Sequence, residues 1–336
     1  GTDVRVYVEP MVEAAKQSTN IADFFTKRWY VSWRYKSPKD YEIGYTLIVY
    51  FITKVFNSLP TVLFVIHLII LVPLYEGLLY FKEKIPVWFG LLVFYLLYFN
   101  LSLNMMRQWI AMAILLYALR YLIKNDVKKY AVAVAIGLLF HISAIIGVMI
   151  YFIFRYTTRQ QCVSQYYKIG NYVVDASINK AYVILIIGMF VLMGLNIVTL
   201  LARLVGLSDY IYYISGSIYF VPNQLLVRAP IAVLFLLNYR WVANQDELAP
   251  FWLSMIFLDL VSSQLTSISA YSFRISTLFS EYVIISVPLM IASVPRKGGM
   301  RTLMRLILLC YLIFYWWYFY VYIGNHATVP YISIFN

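Results

Sequence analysis

Two stretches of the sequence carry polar and ionisable side chains where their neighbours are apolar. Asn104, Arg107 and Gln108 stand at the start of one apolar helical run, and His141 and Ser143 interrupt another. An ionisable side chain at the centre of a membrane helix costs roughly 3 kcal/mol on insertion scales, so such residues persist mainly where a site requires them. These five residues are therefore the first candidates for a functional site.

Arginine side chains at three places in the sequence are suited to binding a diphosphate. Arg107, Arg228 and Arg274 each lie at the end of an apolar run. A guanidinium group remains charged and pairs with phosphate oxygens in a bidentate manner. The alternative for each arginine is an anchor that reaches the lipid head groups. If the three converge at one face of the membrane, they can bind a diphosphate together.

Three residues are candidates for the general base of a transfer reaction. Neutral imidazole accepts a proton at physiological pH, so His141 suits this role, although a buried histidine is as often a structural hydrogen-bond partner. Asp3 and Glu42, which flank the first polar segment, could act as the base instead. Asp259 and Glu281 lie within apolar runs, where pairing with a neighbouring cation is an equally good interpretation.

The composition identifies the class of protein that must position these side chains. Of the 336 residues, 62% are hydrophobic and 12% are charged. Long apolar runs recur along the chain, as in a polytopic α-helical membrane protein, whereas a β-barrel would show alternation over about ten residues. The net charge of +12 comes from Lys and Arg in short loops, so it indicates a positive-inside bias and not a nucleic-acid-binding domain.

Ten apolar segments are predicted to be membrane-spanning helices of an all-α fold. They lie at residues 43–57, 60–81, 86–103, 105–123, 128–155, 181–205, 224–240, 250–268, 274–293 and 301–323. Residues 42–323 are thus predicted to form a single transmembrane domain, between a polar extracytoplasmic segment at 1–41 and a polar tail at 324–336. Ala111 and Ala113, which follow Arg107, are small enough for another helix to approach closely.

The basic loops predict the orientation of these helices. The loops around Lys82, Arg120, Arg155 and the Arg296–Lys297 pair are predicted to be cytoplasmic. This orientation places residues 207–223, with both terminal segments and the turn before Arg107, on the outer face.

The same orientation requires residues 128–155 to enter and leave the membrane on one side. The rise from Lys128 to His141 is only about 20 Å, which is too short for a full crossing. A helix broken near His141 and Ser143 satisfies the requirement. The alternative is that residues 43–57 lie along the interface or add a crossing.

The sequence contains no pattern typical of a metal, cofactor or disulfide site. Cys162 and Cys310 fall in a polar loop and in an apolar run, and His67, His141 and His326 have no ligand spacing. A glycine-rich phosphate loop, an Asp-x-Asp pair and a Gly-x-Ser-x-Gly elbow are also absent from the sequence. We therefore expect chemistry that Arg, His and a carboxylate perform at a membrane face without a cofactor.

Several short motifs together resemble the EpsG-like branch of the Wzy polysaccharide polymerases. They are GTDVRVY at 1–7, Glu42 before an apolar helix, Asn104 with Arg107-Gln108 and Ala111, His141-x-Ser143-Ala144, Arg274 after a Tyr/Ser-rich turn, and Pro330-Tyr331. The likeness covers nearly the whole chain. It implies a GT-C-like membrane glycosyltransferase that uses no metal ion, and a first transmembrane helix ahead of residue 1.

The resemblance implies that the protein polymerises an O-antigen, an exopolysaccharide or a capsule. It would transfer a growing glycan, with inversion, from undecaprenyl diphosphate to a lipid-linked repeat unit at the outer face of the bacterial inner membrane. The implied partners are this lipid-linked oligosaccharide, membrane lipid, a chain-length regulator and a flippase, and no nucleic acid. The site positions that it implies are Arg107, His141 and Arg274, then Asp3 and Glu42, with Arg5 in the first motif, whereas Arg228 rests on the charge argument alone.

Other functions in the same pathway remain open from the residues alone. A flippase or other transporter of lipid-linked oligosaccharides would need a cation-lined passage that reaches both faces. A membrane O-acyltransferase would also use a histidine at membrane depth. A ligase that moves finished glycan to another acceptor shares the diphosphate leaving group and differs only in the acceptor.

Overall fold

The computed structural model describes residues 3–159, 162–169, 172–204, 219–269, 272–295 and 299–330. Within these residues the fold is almost entirely helical, which confirms the all-α class. The chain forms two compact units, one comprising Gly1–Val148 with Ile307–Asn336 and the other Met149–Leu306. Some residues used for the predictions lie outside the described ranges, namely Gly1, Thr2, Arg296, Lys297, Tyr331 and most of 207–223.

The first unit begins with a packed helix, although residues 1–41 were predicted only as a polar surface segment. A π-helical turn, Val4–Val8, continues into α1 (Glu9–Gln17), and the short α2 (Ile21–Phe24) follows. Met11 and Ala15 are fully buried, and α1 packs against the first apolar helix. Burial of these apolar side chains makes the segment an integral part of the unit.

A β-hairpin joins this segment to the apolar helices. Its strands, β1 (Trp29–Val31) and β2 (Arg34–Lys36), are antiparallel and place Tyr30 opposite Tyr35. Both residues of the turn have positive φ, as two-residue turns between twisted strands require. Trp33 in this turn is 91% exposed. The hairpin therefore presents several aromatic side chains at its surface.

The remaining helices of the first unit follow in chain order. They are α3 (Ile43–Phe56), α4 (Leu59–Tyr80), α5 (Val87–Val93), α6 (Asn100–Ser102), α7 (Met106–Ile123), α8 (Val127–Leu138) and the start of α9 (Ile146–Arg159). A π-helical stretch, Phe94–Phe99, connects α5 to α6. α7 packs against both α4 and α8, and Trp109 on α7 is fully buried.

Short polar side chains define where two of these helices begin. Ser58 caps α4 by accepting a hydrogen bond from the backbone N–H of Thr61, and Asp126 caps α8 by accepting one from that of Lys129. Caps of this kind satisfy N–H groups that have no partner inside the helix. The two caps therefore fix the residues at which α4 and α8 begin.

The second unit contains a hairpin followed by helices. β3 (Cys162–Ile169) pairs antiparallel with β4 (Tyr172–Asn179), where the sequence predicted a polar loop. The helices are α10 (Lys180–Leu204), α11 (Pro222–Gln245), α12 (Ala249–Ser263), α13 (Phe273–Ser280), α14 (Val283–Ser293) and the start of α15 (Met300–Trp316), which continues into the π-helical turn Trp317–Tyr322. α12 packs against α10, α11 and α13.

Each of the ten predicted segments coincides with one helix or with consecutive helical elements. Five helices are long and apolar enough to cross a membrane, and they are Leu59–Tyr80, Met106–Ile123, Ile142–Arg159, Pro222–Gln245 and Met300–Tyr322. The pair α13 and α14, bent by 41°, makes up to six. Fewer full crossings than ten are thus supported within the described residues, because helices such as Ile43–Phe56 are shorter than the bilayer core. The chain is a polytopic membrane protein.

The predicted break near His141 is confirmed. α8 ends at Leu138, and a 3₁₀ turn, Ile142–Ile145, precedes α9. The chain reverses direction there, so that the start of α9 lies against α8. The Tyr130 hydroxyl on α8 accordingly donates a hydrogen bond to the carbonyl oxygen of Gly147 at 2.8 Å. Gly137 lies so close to Ala144 that a Cβ atom added to the glycine would be 2.9 Å from the alanine Cβ.

Gly44, in the first turn of α3, lies directly against the start of this break. Its N–H donates a hydrogen bond to the carbonyl oxygen of Leu139 at 2.8 Å, and a Cβ atom at position 44 would lie 2.7 Å from the same oxygen. We expect Gly44→Ala to lower the free energy of unfolding by about 1–3 kcal/mol, because backbone atoms must move to admit the methyl group. Thermal unfolding of the detergent-solubilised protein measures this effect.

The matched control is Gly194→Ala in α10, where an added Cβ atom meets nothing within 4 Å. That variant should be as stable as the wild type or slightly more stable, since alanine favours a helix over glycine by about 0.5–1 kcal/mol. Equal melting temperatures for Gly44→Ala and the wild type would show that the Gly44–Leu139 contact is not tight.

Candidate functional site

Arg107 is the centre of a polar cluster in the first unit. It lies in the first turn of α7, and its Nη1 atom donates a hydrogen bond to Oε2 of Glu42, the residue that precedes α3. The two side chains are each 20% exposed. Partial burial strengthens the attraction between opposite charges relative to a surface pair. Two predicted site residues that are distant in sequence therefore form an ion pair.

The guanidinium group of Arg107 contacts two tyrosine rings. The Cζ atom is 4.9 Å from the ring centroid of Tyr7 and 4.9 Å from that of Tyr41, and the two rings are 5.3 Å apart. Trp29 of β1 stacks on Tyr41 with a centroid distance of 6.0 Å and an interplanar angle of 11°. Cation–π contacts of this kind contribute about 0.5–2 kcal/mol each. They also restrict the plane of the guanidinium group.

Asp3 joins the cluster through Tyr7. The Tyr7 hydroxyl donates a hydrogen bond to Oδ2 of Asp3, which precedes it by four residues. Burial raises the pKa of the Tyr7 phenol well above its ordinary value, and the nearby Tyr45 and Asp3 raise it further. Tyr7 therefore stays protonated at physiological pH and can donate to the Asp3 carboxylate.

His141 caps the 3₁₀ turn that follows the helix break. Its Nδ1 atom accepts a hydrogen bond from the backbone N–H of Ser143 at 3.1 Å and lies 2.7 Å from Oγ of Ser143. Because a backbone N–H can only donate, the neutral imidazole carries its proton on Nε2. This tautomer suits His141 as a hydrogen-bond donor through Nε2 better than as a base at that atom.

A backbone contact ties the helix break to the Arg107 cluster. The hydrogen bond from Gly44 to Leu139 joins a residue two positions after Glu42 to one two positions before His141. The segments that carry Glu42 and His141 are therefore neighbours within the first unit. Glu42 contacts Arg107 directly, Asp3 joins them through Tyr7, and the segment with the break lies beside α3.

Polar side chains in and just before the first turn of α7 form hydrogen bonds within the protein or are buried. Asn104 donates a hydrogen bond to the backbone carbonyl of His326 at 2.9 Å, and Asn100 donates to Oγ1 of Thr328 at 2.9 Å. Gln108 is buried, with 3% of its surface exposed. Asn104 thereby holds the C-terminal segment beside the start of α7, and its predicted contact with a ligand stays a prediction.

Arg228 and Arg274 belong to the second unit. Nε of Arg228 donates to Oδ1 of Asp259 at 2.8 Å, and Nη2 donates to Oγ of Ser276, two residues after Arg274, at 3.0 Å. The interpretation of Asp259 as the partner of a neighbouring cation is confirmed. Convergence of Arg228 and Arg274 on Arg107 stays a prediction.

Two other residues considered from the sequence have different surroundings. Arg5 is exposed on the π-helical turn next to the cluster. Glu281 is 1% exposed at the bend between α13 and α14, and neither carboxylate oxygen has a hydrogen-bond partner among the described residues. The cation partner considered for Glu281 is therefore not found in the part of the chain that the structure describes.

Tyr7 and Tyr41 are absent from the site residues predicted from the sequence. The signal that could identify Tyr7 is its position four residues after Asp3, the spacing that places two side chains on one face of a helix. That signal has meaning only if residues 3–17 are recognised as helical. Tyr41 directly precedes Glu42, but an aromatic residue at the end of an apolar helix is usually an interfacial anchor.

The cluster combines a cation, two carboxylates and aromatic faces, and this combination can bind an anionic group beside a sugar ring. No group of three or more His, Cys, Asp or Glu side chains in the described ranges could hold a metal ion.

A family model described as the EpsG family matches residues 1–333. No curated protein and no solved structure matches the chain.

Proposed function

The chain belongs to the EpsG family, and we propose that it is the polymerase of a bacterial polysaccharide. Family membership supports a polysaccharide polymerase role in general. We further propose that the donor is a glycan on undecaprenyl diphosphate and that the site opens to the outer face of the inner membrane. The observation that carries the proposal is the Arg107 guanidinium, held by two aromatic rings beside a carboxylate.

The proposed reaction lengthens the glycan by one repeat unit in each step. A hydroxyl oxygen of the lipid-linked acceptor attacks the anomeric carbon of the donor glycan and forms the new glycosidic bond. The bond from that carbon to the diphosphate oxygen breaks, and the diphosphate leaves with the electron pair. The proton of the attacking hydroxyl passes to a protein base. Attack from the side opposite the leaving group inverts the anomeric configuration.

Arg107 is the proposed ligand of the diphosphate. Phosphate oxygens replace Glu42 as the partner of Nη1, while Tyr7 and Tyr41 keep the guanidinium plane fixed. A fixed cation beside the leaving group stabilises the negative charge that develops there, and removal of one such donor typically costs about 10²–10³ in rate. Glu42 holds Arg107 in place before the donor binds.

Asp3 is the proposed general base. In an inverting transfer the base and the leaving group lie on opposite sides of the reacting carbon, so a carboxylate in direct contact with Arg107 is poorly placed. Asp3 belongs to the cluster through Tyr7, whose hydroxyl donates a hydrogen bond to it and orients the carboxylate. His141 donates from Nε2 to an oxygen of the donor or acceptor.

A polymerisation assay with natural substrate tests the proposal. Cells that lack this protein should accumulate single repeat units on a polyprenyl diphosphate carrier, and these can be extracted. Purified wild-type protein in liposomes should convert them into a ladder of longer lipid-linked glycans. Movement of unextended units across the bilayer would identify a transporter, acyl transfer would identify an acyltransferase, and transfer to another acceptor would identify a ligase. Each of these outcomes would overturn the polymerase proposal.

The hairpin β1–β2 is the proposed contact with the sugar residues of the substrate. Its Trp29 stacks on Tyr41 within the Arg107 cluster, while Tyr30 and Tyr35 form an exposed pair with ring centroids 5.2 Å apart. Aromatic faces stack on the apolar faces of sugar rings, and the same side chains also suit a membrane interface. Continuity with the Arg107 cluster favours sugar contact.

We expect Trp33→Ala to raise KM for the lipid-linked substrate by roughly 3- to 10-fold with little change in kcat, because one stacking contact is lost far from the reacting carbon. The control is Trp88→Ala, which removes another exposed tryptophan from α5. An unchanged KM for Trp33→Ala, together with weaker retention of the protein in the membrane, would instead identify the hairpin as an interfacial anchor.

A further inference from the structure

A groove in the first unit, away from the Arg107 cluster, has the lining expected of a lipid site. It is a cavity of about 590 Å³ between α4, α7 and α8. Aliphatic side chains form much of its wall, among them Val72, Ile114 and Ile136. Tyr121, at one end of the groove, is about 21 Å from Arg107 along α7 by helical rise. The groove and the cluster are therefore different sites.

Charges of both signs border the groove. Lys128 and Lys129 of α8 line one wall, and Glu76 of α4 lines another. Lys129 pairs with Asp126 at 2.8 Å, whereas neither Lys128 nor Glu76 forms an ion pair within the residues described. An apolar groove with a cation and a carboxylate on opposing walls is complementary to a ligand that carries both charges on an apolar body.

Arg120 fixes the aromatic part of the groove. Its Cζ atom is 3.5 Å from the ring centroid of Tyr117, and its Nη2 atom donates a hydrogen bond to the hydroxyl of Tyr121 at 3.2 Å. Both tyrosines line the cavity. Tyrosine side chains commonly lie at the level of the lipid head groups. The polar end of the groove is thus the end that carries Lys128 and Tyr121.

The length of the groove matches one leaflet of a membrane. The rise along α8 from Lys128 to Ile136 is about 12 Å, and one leaflet contributes about 15 Å of hydrocarbon. A head group beside Lys128 therefore places an acyl chain along Val132 and Ile136 toward the middle of the bilayer. The lysine-rich end is also the end predicted to face the cytoplasm, where basic pockets between helices bind lipid head groups.

We infer that the groove binds a phospholipid with a phosphoethanolamine head group from the cytoplasmic leaflet. The lipid phosphate lies beside Lys128 and Lys129, the ammonium group pairs with Glu76, and one acyl chain covers the aliphatic wall. A phospholipid with only negative charge satisfies the lysines but places that charge near Glu76, so it binds less tightly. This site does not depend on the proposed polymerase reaction.

Native mass spectrometry of the purified full chain, titrated with phosphatidylethanolamine or phosphatidylglycerol, tests the assignment. We expect the wild type to retain phosphatidylethanolamine more tightly than phosphatidylglycerol. Lys128→Ala with Lys129→Ala should weaken the binding of both lipids by roughly 10- to 30-fold, since each lysine near a lipid surface contributes about 1 kcal/mol. Glu76→Gln should abolish the preference for phosphatidylethanolamine without weakening the binding of phosphatidylglycerol.

Two further variants keep the test decisive. Lys82→Ala with Lys84→Ala removes the same charge from the same end of the unit without altering the groove, and it should bind phosphatidylethanolamine like the wild type. Val132→Trp should fill the groove and reduce the binding of both lipids, while an unchanged melting temperature confirms folding. A wild-type preference for phosphatidylglycerol, or a preference for phosphatidylethanolamine that survives in Glu76→Gln, would overturn the head-group assignment. Unchanged lipid binding by Val132→Trp would overturn the groove itself.

Discussion

Replacement of Arg107 by lysine is expected to lower kcat for glycan elongation by about 10²–10³, the usual cost of one lost transition-state donor. Lysine keeps the positive charge, so its ion pair with Glu42 can persist and the fold should survive. It cannot pair with a diphosphate in a bidentate manner, and it lacks the planar group that contacts the rings of both Tyr7 and Tyr41. Rates of ladder formation by the purified variant in liposomes measure the loss.

The control for this substitution lies on the same helix. Arg120→Lys, near the other end of α7, also removes a guanidinium group stacked on tyrosine rings. It should elongate glycan at the wild-type rate, because it is remote from the proposed diphosphate. Wild-type chain lengths from well-expressed Arg107→Lys protein would contradict the role assigned to Arg107.

Replacement of Asp259 by alanine is expected to destabilise the protein by about 3–5 kcal/mol, the typical cost of leaving a buried charge without its partner. The Arg228 side chain is 19% exposed and the Asp259 side chain 9%. Arg228 also donates hydrogen bonds to Gln224 and Ser276, so it is held in place after Asp259 is removed. Thermal or denaturant unfolding in detergent micelles measures the loss.

A double substitution separates a lost ion pair from lost packing. Arg228→Met with Asp259→Leu replaces both charges by apolar groups of similar size, and it should recover most of the stability, as such exchanges often do. Glu13→Ala, which breaks the exposed pair with Lys16, should change stability little. If Asp259→Ala has the same melting temperature as the wild type, the Arg228–Asp259 ion pair does not stabilise the second unit.

The apolar helices, unlike the first helix of the chain, were predictable from the sequence because local patterns encode them. Each apolar run in the sequence coincides with helical structure, and the polar residues His141 and Ser143 indicated the break within one of these runs. The small residue Ala111 also predicted close approach, since Gly137 of α8 lies against the backbone of α7 at that position. The number of full crossings was less predictable, because helix length depends on caps and on π-helical turns that hydropathy does not register.

The site was predictable only in part. Arg107 was identified by its position among apolar residues, and Glu42 by its position between the polar segment and the first apolar helix. Nothing in the residue types indicates that these two pair with one another. The role of Tyr7 depends on tertiary packing of the first helix, whose charged residues resemble those of a surface segment. The tautomer of His141 depends on one backbone N–H, from Ser143, that becomes available only when the helix breaks.

The contact between Gly44 and Leu139 also limits how this protein can diverge. A change at either position that adds bulk or moves the main chain requires a compensating change at the other, although the two positions are 95 residues apart in the sequence. In related proteins the two positions should therefore change as a pair, and glycine at 44 should be lost only where the turn after α8 has been rebuilt. Steric fit between the two backbone segments, and not the identity of the substrate, therefore constrains which residues these positions can accept.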